Sequence, residues 1–161
     1  MVKPTTIRII LALTVHFGLS LRQLDVSNAF LHGVLQEKVY MSQPPGYKDH
    51  SKPHHVCLLH KAVYGLKQAP RAWFDSFSTQ LFHMGSHASC VDSNLFILIH
   101  SVHVVYLLLY VDNIIITSNH ATFVAKIIKQ ISVSFALKEL GLISYFLGLQ
   151  IEYIDDGIFM H

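Results

Sequence analysis

The chain predicts an α+β fold, a βαββαβ (ferredoxin-like) antiparallel sheet with helices packed on one face. Three observations carry the prediction. Segments of strand length stand at "SLRQLDV", with Leu21 and Leu24, and at the apolar runs "VVYLLLYV" and "NIIITS". Two stretches repeat apolar residues at helical spacing. The elements follow the order strand, helix, strand pair, helix, strand.

Taken in chain order, "IRIILALTVHFG" reads as a buried helix, since it is short and lacks a signal-like cleavage pattern. In "SLRQLDV", Leu21 and Leu24 precede Asp25, where the strand runs out. The long connection from His32 to His55 contains the breaker Pro44-Pro45-Gly46, and Val39 to Met41 adds a short strand with no assigned partner. In "PRAWFDSFSTQLFHMG", Trp73, Phe77, Leu81 and Met84 fall on one helical stripe, Pro70 suits a first turn and Gly85 a stop. "VVYLLLYV" and "NIIITS" read as strands joined at Asp112-Asn113, a pair tolerant of the positive φ of tight hairpins. Such near-continuous apolar runs suit strands buried on one face and covered on much of the other. Asn119 is the expected cap of a second helix carrying Phe123, Ile127, Ile131 and Phe135. A last strand, "YFLGLQIEYI", reaches the turn Asp155-Asp156-Gly157. Residues 1–161 are expected to form a single domain.

In this order the first and third strands are antiparallel neighbours, which brings Asp25 to one sheet end with Asp112. Carboxylates so placed can share one divalent ion or two, with oxygen ligands of the kind that hard cations such as Mg²⁺ require. Taken singly, Asp25 is also an ordinary strand-end acid and Asp112 an ordinary turn former.

"LDVSNAF", "YGLKQAPRAWF", "YVDN" and "YFLGLQI", in this order, resemble the reverse transcriptase (RNA-directed DNA polymerase) palm of a copia-type LTR retrotransposon Pol polyprotein. The resemblance runs from about Pro4 to His161. It implies that Asp25, Asp112 and Asn113 stand at the catalytic positions, and that Asp25, Asp112 and the Val26 carbonyl are the metal ligands. Two Mg²⁺ (or Mn²⁺) ions are expected in an intact site. Asn28 and Ala29 would offer backbone N–H groups to the incoming triphosphate, and Phe30 would be the steric gate against a ribose hydroxyl. Gly65 and Lys67 belong to a second nucleotide-contact segment. Phe146, Leu147 and Gly148 resemble the primer grip, and Lys138 is a possible general acid for the departing pyrophosphate. The implied reaction is template-directed transfer of deoxynucleotides to a primer 3′-hydroxyl on RNA or DNA.

The family's turn normally reads Tyr-Val-Asp-Asp, whereas this chain has Asn113 in the last position, losing one full negative charge. Impaired catalysis is therefore expected. The chain is also expected to be a fragment, without the N-terminal finger strands, the thumb or the ribonuclease H segment of the parent polyprotein.

Composition bounds the alternatives. Charged residues make up 14% and apolar ones 52%, sparse beside a typical domain with about a quarter charged. A net charge of +2 is small for an autonomous nucleic-acid binder. Lys61, Lys67 and Arg71 form either a local patch near a template or a solvated loop and helix start. No apolar stretch reaches the roughly 20 residues of a membrane-spanning helix. Cys57 and Cys90 lack metal spacing, consistent with a reducing compartment, and His54, His55 and His60 lack the cysteine pairs of a zinc module. The competing class is a non-catalytic α+β remnant that binds nucleic acid or protein, with Tyr106 and Tyr110 as ring platforms.

Overall fold

The computed structural model describes residues 2–146, 148–154 and 157–160. In chain order the elements are α1 (Pro4–His16), β1 (Ser20–Val26), a 3-10 turn (Ala29–His32), β2 (Val34–Ser42), β3 (Val56–Lys61), α2 (Ala69–His83), β4 (His87–Ala88), β5 (Leu95–His100), β6 (His103–Tyr110), β7 (Asn113–Ser118), α3 (Ala121–Ser132), β8 (Leu137–Gly141), β9 (Tyr145–Phe146), β10 (Leu149–Ile154) and β11 (Gly157–Met160). The described residues thus form a mixed α and β structure with three α-helices and antiparallel sheets. Two compact units are present, Met1–Asn28 with Ser78–His161, and Ala29–Phe77, the division falling within α2.

The first unit is built on a six-stranded sheet in the order β4-β5-β6-β7-β1-β8, antiparallel throughout. One face packs against α1. Pro4 sits in the first turn, where its missing N–H costs nothing, and Ile7, Ile10, Leu11 and Thr14 are buried at helical spacing. Ile7, Ile10 and Leu11 join Leu21, Leu108 and Ile115 of the sheet, Ile143 from the segment between β8 and β9, and Phe146 and Ile151 of the small β9-β10-β11 sheet in one core cluster. Because side chains alternate along a strand, the neighbours of these residues, Leu24, Leu107, Leu109, Ile114 and Ile116, are buried on the opposite face. There Leu81 of α2, Met84 just after that helix and Ile127 of α3 line a small apolar cavity with Phe96, Val105 and Leu107. Each such aliphatic side chain removed from water contributes about 1.5–3 kcal/mol.

The second unit holds the β2-β3 ladder and most of α2. Trp73 and Phe77 are buried with ring centroids 5.1 Å apart, and the His32 ring lies 6.0 Å from that of Trp73. Gly33 passes so close to α2 that a Cβ there would lie 2.7 Å from the Trp73 nitrogen.

In its strand pairing, helix cap and long connection the structure departs from the sequence reading in four places. The segment "YFLGLQIEYI" is not one strand completing the main sheet; it turns at Gly148, where φ is +84°, and pairs with itself as β9 and β10. The place beside β1 is taken by β8, whose residues are mostly exposed. Asn119 does not cap α3: His120 is the N-cap, while the Asn119 side chain accepts from the Val104 N–H at 3.2 Å and donates to the Val102 carbonyl at 2.8 Å. In the connection from His32 to His55 the strand is longer than Val39 to Met41 and has a partner, since Val34–Ser42 pairs with Val56–Lys61 around a loop tied by Gln43.

Candidate active site

Strands β1 and β7 pair so that Asp25 faces Asn113, Gln23 faces Ile115 and Leu21 faces Thr117. The partners of a cross-strand pair point to the same face, so Gln23, Asp25 and Asn113 share the face that carries α1. On the far side of β1, Asp25 is the register partner of Lys138 in β8. Four polar side chains therefore gather where an otherwise apolar sheet ends.

The hairpin from β6 to β7 closes on the pair Tyr110 and Asn113, leaving Val111 and Asp112 as its two central residues. Val111 carries the positive φ, +52°, not Asp112 or Asn113 as the turn chemistry suggested. Positive φ at only the first central residue is the II′ pattern, which matches the twist of the strands it joins. A β-branched side chain is a poor occupant of that conformation, which costs of order 1–3 kcal/mol. The turn is anchored by the Val26 N–H, which donates to the Asp112 carbonyl at 2.8 Å. With Asp25 opposite Asn113, the Cα atoms of Asp25 and Asp112 are less than about 10 Å apart by sheet geometry.

Asn113 has both ends of its carboxamide engaged. Its Nδ2 donates to Asp112 Oδ1 at 2.9 Å, and its Oδ1 accepts from Gln23 Nε2 at 3.3 Å. Gln23, which sequence reasoning passed over, is buried and also donates to the Tyr145 carbonyl at 3.5 Å. Its signal was available: two residues before Asp25 on a strand is the same face.

Two carboxylates at one sheet end suit a hard divalent cation, and Asp25 and Asp112 would hold it. The third position fits less well, because the Asn113 oxygen is turned to Gln23. Among the described residues no group of three or more His, Cys, Asp or Glu side chains gathers at ligating distance.

The remaining expected residues lie as follows. Val26 ends β1 opposite Leu137. Asn28 is exposed in the turn after β1 with φ +55°. Ala29 opens the 3-10 turn and is buried. The Phe30 ring packs against Tyr64 at 5.7 Å within the second unit, where Gly65 and Lys67 are exposed in the loop before α2. Phe146 is buried and Gly148 exposed at the β9-β10 hairpin, and Leu147 lies outside the described residues. Lys138 is exposed. Of the basic patch, Arg71 pairs with Asp75 one turn on, at 3.8 Å. Tyr106 and Tyr110, the ring platforms of the competing reading, are half-buried against the α1 core cluster.

Among the described residues no helix is long and apolar enough to cross a membrane. Comparison with known sequences supplies the remaining finding. The family described as reverse transcriptase (RNA-dependent DNA polymerase) matches residues 1–161. The chain is 44% identical over 157 residues to the retrovirus-related Pol polyprotein from transposon RE2 of Arabidopsis thaliana, covering 98% of this chain and 11% of that one. It is 42% identical over 154 residues to the corresponding polyprotein from transposon TNT 1-94 of Nicotiana tabacum, covering 93% and 11%. The chain thus spans about a tenth of the length of these relatives. Its full-length match to the family, with copia-type Pol polyproteins of plant transposons as relatives, means that the chain belongs to the reverse transcriptase family.

Proposed function

We propose that this chain is the palm of a retrotransposon reverse transcriptase, with the βαββαβ arrangement as its frame. Its reaction is template-directed transfer of deoxynucleotides to a primer 3′-hydroxyl. The observation that carries the reading is the β1-β7 pairing, with Asp25 opposite Asn113 and the Val26 N–H bonded to the Asp112 carbonyl. A divalent cation, Mg²⁺ or Mn²⁺, bound by Asp25 and Asp112 would lower the proton affinity of the primer hydroxyl and neutralise phosphate charge. The Val26 carbonyl is assigned to the same ligand set, and an intact family site is expected to take two ions.

The other roles follow the family pattern. Backbone N–H groups of Asn28 and Ala29 bind triphosphate oxygens, Phe30 excludes a ribose hydroxyl, and Gly65 and Lys67 contact the nucleotide. The hairpin at Phe146, Leu147 and Gly148 seats the primer end, and Lys138 protonates pyrophosphate as it leaves. The register of Lys138 with Asp25 supports placing that proton near the acids. Asn113 lowers the rate by withdrawing a charge from the site. Template-primer, deoxynucleoside triphosphate and the rest of a Pol polyprotein are the partners.

Primer extension with Mg²⁺ or Mn²⁺ tests the reading, on the chain alone and within a longer Pol polyprotein. Incorporation that rises in Asn113→Asp and disappears in Asp25→Asn supports it. Equal background activity in both variants within the longer polyprotein, with tight metal-independent nucleic-acid binding, would replace it with a non-catalytic binding remnant.

A further inference from the structure

We infer that Gln23 is a positioning residue that holds the Asn113 carboxamide out of the ligand set, so that Asp25 and Asp112 take a single divalent cation. The inference rests on the polymerase reading of this site and assigns the site its metal stoichiometry.

An amide side chain offers a hard cation its oxygen, never its nitrogen. In Asn113 that oxygen accepts from Gln23 Nε2 at 3.3 Å, while the nitrogen donates to Asp112 Oδ1 at 2.9 Å. Turning the oxygen toward the acids would set the Asn113 nitrogen against the Gln23 nitrogen, donor against donor, and remove a hydrogen bond to a carboxylate. Gln23 cannot easily yield. It is only 8% exposed, and its amide nitrogen has a second acceptor, the Tyr145 carbonyl at 3.5 Å. Both its amide hydrogens thus have acceptors, so the donor end stays fixed toward Asn113. Asp112 in turn has one oxygen occupied by the Asn113 amide. Two carboxylates, one of them half engaged, offer too little charge to hold two divalent ions side by side.

The test is a titration of the full chain with Mn²⁺ alone, following free Mn²⁺ by electron paramagnetic resonance, with circular dichroism as the check on folding. The wild type is expected to bind one Mn²⁺, and Asp25→Asn to lose it. Gln23→Met, which removes the donor, is expected to raise affinity about threefold or more by freeing the Asn113 oxygen. Asn113→Asp is expected to raise it about tenfold or more and to admit a second ion. The Asn113 side-chain amide signals in a ¹H–¹⁵N spectrum should shift in Gln23→Met, an effect that a purely structural role for Gln23 at Tyr145 would not produce. Should Gln23→Met fail to fold, the isosteric Gln23→Glu replaces it; the acceptor it introduces would turn the Asn113 amide round, with the same expected rise. Two ions in the wild type, or unchanged affinity and unchanged amide signals in the Gln23 variant, overturn the inference and leave the polymerase reading standing. Absence of Mn²⁺ binding in every protein, Asn113→Asp included, overturns both.

Discussion

The Val26 N–H donates to the Asp112 carbonyl oxygen at 2.8 Å, so the residue after one acid is tied to the other acid itself. This bond fixes the hairpin turn against the end of β1 whatever stands at position 113. Asn113→Asp should therefore be accommodated without loss of fold, raising primer extension about a hundred- to a thousandfold, or about 2.7–4 kcal/mol of transition-state stabilisation. Single-turnover kinetics with Mg²⁺ checks it. An unchanged rate would show that the missing charge is not what limits this site.

Val111 sits at φ +52° and is 38% exposed, so its isopropyl group strains the turn more than it fills a core. Glycine relieves that strain but adds freedom to the unfolded chain, an opposing effect of about 0.4–1 kcal/mol. Val111→Gly should leave stability unchanged or raise it by up to about 2.5 kcal/mol. Urea midpoints decide, and a clear fall would mean that the valine side chain stabilises the turn by packing.

Asp92 is buried, with Oδ2 accepting from the Lys3 N–H at 2.9 Å and Thr6 Oγ1 at 2.7 Å, and Oδ1 from the Asn94 N–H at 3.1 Å. Burial raises its pKa, but these bonds outweigh it and leave the carboxyl below its ordinary range. A depressed folded value means that this stabilisation is full above the unfolded pKa and is lost as pH falls through the folded one. Asp92→Asn should cost about 1.5–3 kcal/mol at neutral pH, and the gap to wild type should close below about pH 4. Unfolding curves from neutral to acid pH would show a gap independent of pH if the carboxylate were irrelevant.

Gly33→Ala would place a methyl group 2.7 Å from the Trp73 nitrogen and 2.8 Å from the Ala72 carbonyl carbon, backbone atoms that cannot rotate away. A loss of about 1–3 kcal/mol is expected, confined to the Ala29–Phe77 unit. Amide exchange resolved by residue measures it; protection unchanged in β2 and β3 would contradict the close approach.

Asn119→Ala removes two bonds that close the β5-β6 hairpin at Val102 and Val104. It should destabilise by about 1 kcal/mol and speed amide exchange in that hairpin, with the first turn of α3 unaffected. Faster exchange at α3 alone would restore the capping role.

The parts of this structure that the sequence showed are those where hydrophobic pattern and position coincide. β6 and β7 are apolar runs of strand length, β1 buries Leu21, Leu24 and Val26, and α2 and α3 bury the faces their spacing marks. β8 was hidden because Leu137–Gly141 carries almost no buried surface, and hydrophobic periodicity cannot signal a strand that buries little. The apolar pattern alone makes "YFLGLQIEYI" one strand, and only the resemblance of Phe146, Leu147 and Gly148 to a primer grip points to the β9-β10 hairpin. Asn119 has the composition of a cap, yet tertiary acceptors and donors claimed its side chain. At the candidate site, Asp25 and Asp112 stood out as acids among apolar residues. Gln23 is neutral and became meaningful only once its amide was seen between Asn113 and Tyr145.

β8 is the last strand on its side of the six-stranded sheet, and its polar side chains face water. A terminal strand is an open invitation to intermolecular pairing, and charges along it are a common deterrent. Lys138 and Glu139, the latter bonded to Arg22 at 3.1 Å, supply that protection here. A lysine considered for proton delivery thus also guards against self-association, and a Lys138 variant that precipitates would look inactive for reasons unrelated to chemistry.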